Sequence, residues 1–313
     1  MRILFGGSPD FALPAIRTLI KSHDVVGVLT APDRRRGRRS ELQPSPVAAV
    51  AADLGLPILR PERLGSETRR LVTELGPELL VVVAYGKIFG PRFLSLFDHG
   101  GINLHPSLLP KFRGPAPIPA AILSGQSVTG CTVQRVAPKM DAGAILDQVR
   151  LELSGQESTA SLTERCSAIG AEQLSRVVDQ IESGNVTYFE QQESDATYCS
   201  LIKKDSGRIN WRDSSTYIER MIRAFDPWPG ASTYWNGLRL SLLKASASDD
   251  SEPRSEGAGT VFGVDKERGI LIQTGKGTLA VEHLQLQSKR PLSFRDFLNG
   301  TKAFVGSTLG QTK

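Results

Sequence analysis

Two polar residues two positions apart, Asn103 and His105, stand at the end of an apolar run at 101–104 that reads as a strand. Side chains two apart on a strand point to the same side, and the carboxyl ends of strands are where open α/β sheets bind ligands. An amide and an imidazole placed there can both donate to one oxygen. In acyl transfer to an amine that oxygen is the oxyanion of a tetrahedral intermediate, and one such donor is worth about 3–4 kcal/mol. The plainer alternative is that the pair caps the strand and satisfies loop backbone. Against that, Pro106 and Pro110 stiffen the loop on both sides of Ser107, Leu108 and Leu109, and fixed loops beside polar pairs are commonly binding loops.

A second element lies in Met140-Asp141-Ala142-Gly143, after an expected strand at 131–136. Asp141 can pair with the His105 imidazole and take a proton from an attacking amine. It can equally be a turn residue, since an Asp shortly before a Gly is common in turns. The residues alone leave both readings open.

A third element is cationic. Arg34, Arg35, Arg36, Arg38 and Arg39 surround Gly37 in a loop without an apolar anchor, at the carboxyl end of an expected strand. Guanidinium groups make bidentate contacts with phosphates, so such a loop suits RNA. A run of charge is also compatible with plain solvated surface.

The elements that must position these residues alternate in type. Short apolar runs at 2–5, 24–30, 57–59, 79–84, 101–104 and 131–136 alternate with amphipathic stretches, the pattern of βαβ units in a largely parallel sheet. The run 79–83 is apolar without alternation and reads as a central strand buried on both faces. Ser45 followed by Pro46 marks a helix start and Gly55 its stop, and a long helix is expected over 158–181. Residues 190–205 then lose apolar periodicity. Beyond them a helix at 216–225 and short strands at 231–235, 238–243, 259–264, 269–274 and 279–286 with Gly-rich turns suggest a small barrel. The domains are accordingly expected at 1–189 and 207–313, with a linker at 190–206.

The 313 residues carry a formal charge of +5, most of it from Gly207 onward, an excess that demands no nucleic-acid partner by itself. Cys131, Cys166 and Cys199 are widely spaced and odd in number, which gives neither a disulfide framework nor a zinc pattern. No leader precedes the first strand and no apolar run reaches the roughly 20 residues of a membrane span, so a cytoplasmic protein that makes no membrane contact is expected, as a monomer. Gly6-Gly7-Ser8-Pro9-Asp10 is neither a dinucleotide loop nor a P-loop. His23, His99 and His283 have no partner in the sequence and read as surface or structural residues.

The string Asn103-Leu-His105-Pro-Ser107-Leu-Leu-Pro-Lys-Phe-Arg-Gly114, followed by Asp141 in its Met-Asp-Ala-Gly turn, resembles the signature of the formyltetrahydrofolate-dependent formyltransferases. The resemblance implies a catalytic triad of Asn103, His105 and Asp141. It implies a folate pocket lined by Ser107, Leu108, Leu109 and Pro110, and 10-formyltetrahydrofolate as co-substrate without a metal. It also implies a doubly wound, mostly parallel, Rossmann-like α/β domain with a second, smaller OB-type β-barrel domain.

Within that family, Phe5-Gly-Gly-Ser-Pro-Asp-Phe11, the stretch 30–46 and Arg223-Ala-Phe-Asp-Pro-Trp-Pro-Gly230 resemble the members that act on initiator methionyl-tRNA. In those members the arginine loop meets the acceptor end of the tRNA, and Arg38, after the glycine, is the position implied as foremost. The arginine cluster is denser than the usual Pro-x-Gly-Arg-Gly form, and Asp226 replaces a more usual Asn. An amino-sugar nucleotide is the alternative acceptor, and an RNA-binding module without catalysis the alternative of another class.

Overall fold

The computed structural model describes residues 1–36, 41–248, 257–301 and 303–310. Among these, the chain forms two compact units, and it passes between them more than once. The first comprises Met1–Pro117, Val128–Glu152 and Leu162–Ser200; the second comprises Ile118–Ser127, Leu153–Ser161 and the residues from Leu201 onward.

The first unit holds strands β1 (Arg2–Gly7), β2 (Asp24–Leu29), β3 (Arg34–Arg36), β4 (Glu41–Gln43), β5 (Ile58–Leu59), β6 (Leu79–Val83), β7 (Gly101–His105), β8 (Val128–Arg135) and β9 (Ile145–Glu152). Its helices are α1 (Leu13–Leu19), α2 (Pro46–Asp53), α3 (Ser66–Leu75) and α4 (Pro91–Leu94), and α5 (Pro117–Ser124) and α6 (Thr159–Glu182) cross the division between units. Seven strands form one sheet in the order β5-β2-β1-β6-β7-β8-β9. The pairs from β5 to β7 are parallel, whereas β8 and β9 are added antiparallel. From β1 the chain winds outward to β2 and β5, then returns to β6 on the other side. The topological switch therefore falls between β1 and β6, where such sheets open a crevice at the strand carboxyl ends.

All five residues of β6 are buried, as its unbroken apolar run requires of a strand flanked by β1 and β7. Ser45 caps α2 by accepting from the Ala48 N–H at 3.0 Å, with Pro46 at the first helical position. In α6, Leu162, Cys166, Gly170, Leu174, Val177, Val178 and Ile181 recur at three- and four-residue spacing and are buried as one stripe. Gly170 lets this helix come close to β7, because a Cβ there would stand 2.7 Å from Leu104 Cδ2. Leu104 thus faces α6, and its neighbours Asn103 and His105 point to the other face. A row of rings, Tyr85, Phe89, Phe93 and Phe97, with centroids 5.4–5.8 Å apart, closes the core beside β6.

The second unit contains α7 (Ser215–Ala224) and an antiparallel sheet of β10 (Ser232–Trp235), β11 (Leu238–Ser248), β12 (Val261–Asp265), β13 (Gly269–Gln273), β14 (Thr278–Leu286) and β15 (Leu292–Ser293), followed by α8 (Phe294–Gly300). The order is β10-β11-β14-β13-β12, with β15 also on β14, the antiparallel half of an α/β plus OB-type architecture. Trp235, Phe297 and Phe304 meet edge to face at its core.

Candidate active site

β7 and β8 run antiparallel with Asn103 opposite Gln134 and His105 opposite Thr132. This register places around the two β7 residues a set of polar side chains that sequence spacing does not reveal. His105 is buried, and its Nε2 lies 3.0 Å from Phe112 O. A carbonyl only accepts, so Nε2 carries the proton in this contact. The other ring nitrogen, Nδ1, faces Asp141 Oδ1 at 3.6 Å, an ion-pair separation beyond hydrogen-bond range. Asn103 is partly exposed, and its amide has no hydrogen bond within the described residues.

Asp141 is the most constrained of the three. Its φ of +51° lies in the left-handed region, which costs a residue with a Cβ free energy and persists only where the surroundings fix it. Those surroundings are specific. Oδ2 accepts from Gly114 N at 2.8 Å, Oδ1 accepts from Gln134 Nε2 at 3.0 Å, and the main-chain oxygen accepts from Gln191 Nε2 at 2.9 Å. Gln191 Nε2 also reaches Gly143 O at 2.7 Å. The Gln191 oxygen accepts from the guanidinium of Arg113, a side chain only 1 % exposed. Arg113 Nη1 donates to Glu193 Oε2 at 2.8 Å and to the Tyr198 hydroxyl at 3.0 Å. The ion pair with Lys139 and the bond from Arg113 hold the Glu193 carboxyl down to about 2. Cys199 lies against the same turn, and burial pushes its thiol up, with the negative charge of Asp141 adding to the effect.

The loop after β7 is held as firmly. Fully buried Ser107 donates to Lys111 O at 2.6 Å. Thr132 donates to Ser107 O at 2.6 Å and accepts from Leu109 N at 3.1 Å, while Gln148 Nε2 donates to Leu109 O at 2.8 Å. Leu109–Pro110 is a cis peptide bond. Leu108 packs over Gly130, where a Cβ would stand 2.6 Å from Leu108 Cδ2. Leu108 and Pro110 remain partly exposed, so an apolar wall is presented on a fixed backbone.

The structure therefore brings together Asn103, His105, Asp141 and the segment 107–110. Arg34, Arg35 and Arg36 form β3. The expected flexible loop is in part a short hairpin, with Arg34, Arg35 and Arg36 paired to Gln43, Leu42 and Glu41; Arg38 and Arg39 lie outside the described residues. The hairpin borders a cleft of about 200 Å³ at the switch point, lined by Ser8, Ala31, Arg34, Gln43, Ser45 and Tyr85 among others. The Tyr85 hydroxyl is buried there without a hydrogen-bond partner among the described residues, and burial raises its phenol to about 12.

Residues 190–200 pack on the first unit, supplying Gln191, Glu193, Tyr198 and Cys199 to the site, so this part of the polar stretch is not a free linker. Sequence reasoning missed Arg113, Gln134 and Gln191. Arg113 stood within the quoted motif, but only the β7–β8 register and the return of 190–200 disclose the other two.

Residues 1–178 match the formyl transferase family model, and residues 201–302 match the model of the formyl transferase C-terminal domain. The chain is 44 % identical over 316 residues to methionyl-tRNA formyltransferase of Treponema denticola, covering 97 % of this chain and 98 % of that one. It is 42 % identical over 305 residues to methionyl-tRNA formyltransferase of Chloroflexus aurantiacus, covering 97 % and 98 %. A solved sugar 3N-formyl transferase, WlaRD, in the presence of dTDP and 5-N-formyl-THF, superposes with a TM-score of 0.67 over 93 % of this chain and 99 % of that one; at 17 % identity it shares the fold. By the two family matches and the full-length identity, the chain belongs to the formyl transferase family.

Proposed function

We propose that this protein transfers a formyl group from 10-formyltetrahydrofolate to the α-amine of methionine esterified to initiator tRNA. The observation that carries the catalytic reading is the pairing of an uncommitted amide, Asn103, with a neighbouring His105 and an Asp141 fixed through both carboxylate oxygens. The acceptor is supported by relatives above 40 % identity that span nearly the whole chain.

The donor supplies an electrophilic formyl carbon and leaves as a secondary amine. Attack by the amino group drives negative charge onto the formyl oxygen. Asn103 donates its amide N–H to that oxygen, and His105 redirects Nε2–H to it from Phe112 O. Asn103 needs little reorganisation as the charge develops, because its amide is uncommitted on the β7 strand, whereas His105 exchanges its Phe112 O contact for the oxyanion. Asp141 takes the proton that the amine loses and returns it to the leaving nitrogen. The apolar wall of Leu108 and Pro110, held from behind by Thr132 and Gln148, suits a flat heteroaromatic ring. The cleft beside Arg34 suits the acceptor end, with Arg35 on the same hairpin.

The test is formylation of charged initiator methionyl-tRNA beside free methionine and an amino-sugar nucleotide, by wild type and His105→Ala. Product on the tRNA alone, lost in the variant, is expected. Product on the sugar would replace the acceptor assignment.

A further inference from the structure

His23 lies between α1 and β2, with its side chain only 1 % exposed, and neither ring nitrogen has a hydrogen-bond partner among the described residues. A buried imidazole with both nitrogens unmatched is costly unless something else occupies them. Two carboxylates from the last turns of α6 stand over it. Asp179 Oδ1 is 3.3 Å from Nε2 and Glu182 Oε2 is 3.6 Å from Nδ1, ion-pair separations without a hydrogen bond. Asp179 and Glu182 are three apart and share one helix face. One donor atom from each of the three residues can be chosen so that all lie within 4.8 Å of one another. The three residues are thus close enough for one donor atom from each to converge on a single ion.

We propose that His23, Asp179 and Glu182 form a binding site for a divalent ion of the zinc class, remote in sequence from the catalytic residues. One imidazole nitrogen and two carboxylates suit zinc or cobalt, whereas calcium and magnesium favour oxygen alone. Two negative charges balance the ion. The ion would tie the α1–β2 connection to the end of α6.

The experiment titrates metal-free protein with Co²⁺, then Zn²⁺, with Mg²⁺ as comparator, for wild type, Asp179→Asn and Glu182→Gln. Both carboxylates are about half exposed or more, so both variants fold. The expected result is one Co²⁺ per chain with tetrahedral visible absorption and no sulfur charge-transfer band. Zn²⁺ should displace it, Tm should rise with either ion but not with Mg²⁺, and affinity should drop about tenfold or more in each variant. Equal affinity in the variants, a sulfur band pointing to Cys199, or no bound ion would overturn the proposal.

Discussion

The buried guanidinium of Arg113 donates through Nε and Nη2 to a single acceptor, Gln191 Oε1, at 3.0 and 2.9 Å. Gln191 spends its amide hydrogens on Asp141 O and Gly143 O, with Gln134 Oε1 at 3.2 Å. A charge, an amide and a strained aspartate turn are thereby linked in series, and the whole series hangs on a residue from a stretch that looks featureless in sequence.

Gln191→Ala should accordingly damage both stability and catalysis. It leaves two guanidinium hydrogens of a buried side chain without an acceptor, at a cost of about 1–3 kcal/mol or somewhat more for the charge. It also frees the Asp141 turn. The expected outcome is a lower urea midpoint and a kcat reduced more than KM for either substrate changes. Wild-type kcat in a variant that still folds would remove Gln191 from the positioning role.

Asn103→Ala should behave differently, because its amide supports nothing else within the described residues. Loss of one oxyanion donor lowers kcat about 10²–10³-fold, or about 3–4 kcal/mol, and Tm should barely move. A variant with unchanged kcat would show that the formyl oxygen points elsewhere.

Glu193 provides a pH test. Its folded-state value is about 2, against an ordinary 4.5, through Lys139 and Arg113. A depressed carboxyl contributes stability that is fully present above 4.5 and is lost as pH falls toward 2. Wild type should therefore lose stability across that window more steeply than Glu193→Gln. Because the carboxylate is exposed, the difference should shrink in high salt. Denaturant titrations at several pH values measure it, and parallel curves for the two proteins would discard the ion-pair account.

Much of this architecture could be read from local chemistry. The five-residue apolar run of β6 fits only a strand covered on both faces, Ser45-Pro46 fits only a helix start, and the α6 stripe fits its 3.6 period. The antiparallel β9 escaped because Asp147, Gln148 and Arg150 interrupt its apolar pattern on a sheet edge. The β3–β4 pair escaped because its driving force is backbone pairing between two short strands, with Glu41, Leu42 and Gln43 all exposed and no apolar alternation to mark them. Within the site, Asn103 and His105 draw notice through residue type and spacing, whereas Asp141 is singled out by the family resemblance. Gln134 and Gln191 could not stand out, since an uncharged amide gains meaning only from what strand register and chain return place beside it.

Arg34 offers a test of the cationic hairpin. It lines the cleft at the switch point, is exposed, and pairs by backbone with Gln43. Arg34→Ala should raise KM for charged tRNA while leaving folate binding unchanged, and the slope of log affinity against log salt should fall by about 1. An unchanged salt slope would place the phosphates on other residues.

Gly114 carries the sharpest steric prediction. Its φ is +118°, and an added Cβ would stand 2.4 Å from Cys199 O. That oxygen cannot move cheaply, because Cys199 N donates back to Arg113 O at 2.8 Å and Arg113 N donates to Thr197 O at 2.9 Å. Gly114 N also holds Asp141 Oδ2. Gly114→Ala must therefore push the 197–199 segment away, break its hold on Asp141, or both. The suitable control is Gly86→Ala, where φ is +80° and nothing lies within 4 Å of the added atom. The control pays only the left-handed penalty of about 1–2 kcal/mol. Gly114→Ala should exceed that loss in denaturant titrations and should alone show a kcat collapse. If the two variants lose equal stability and both retain kcat, the 197–199 segment yields freely and does not hold Asp141 in place.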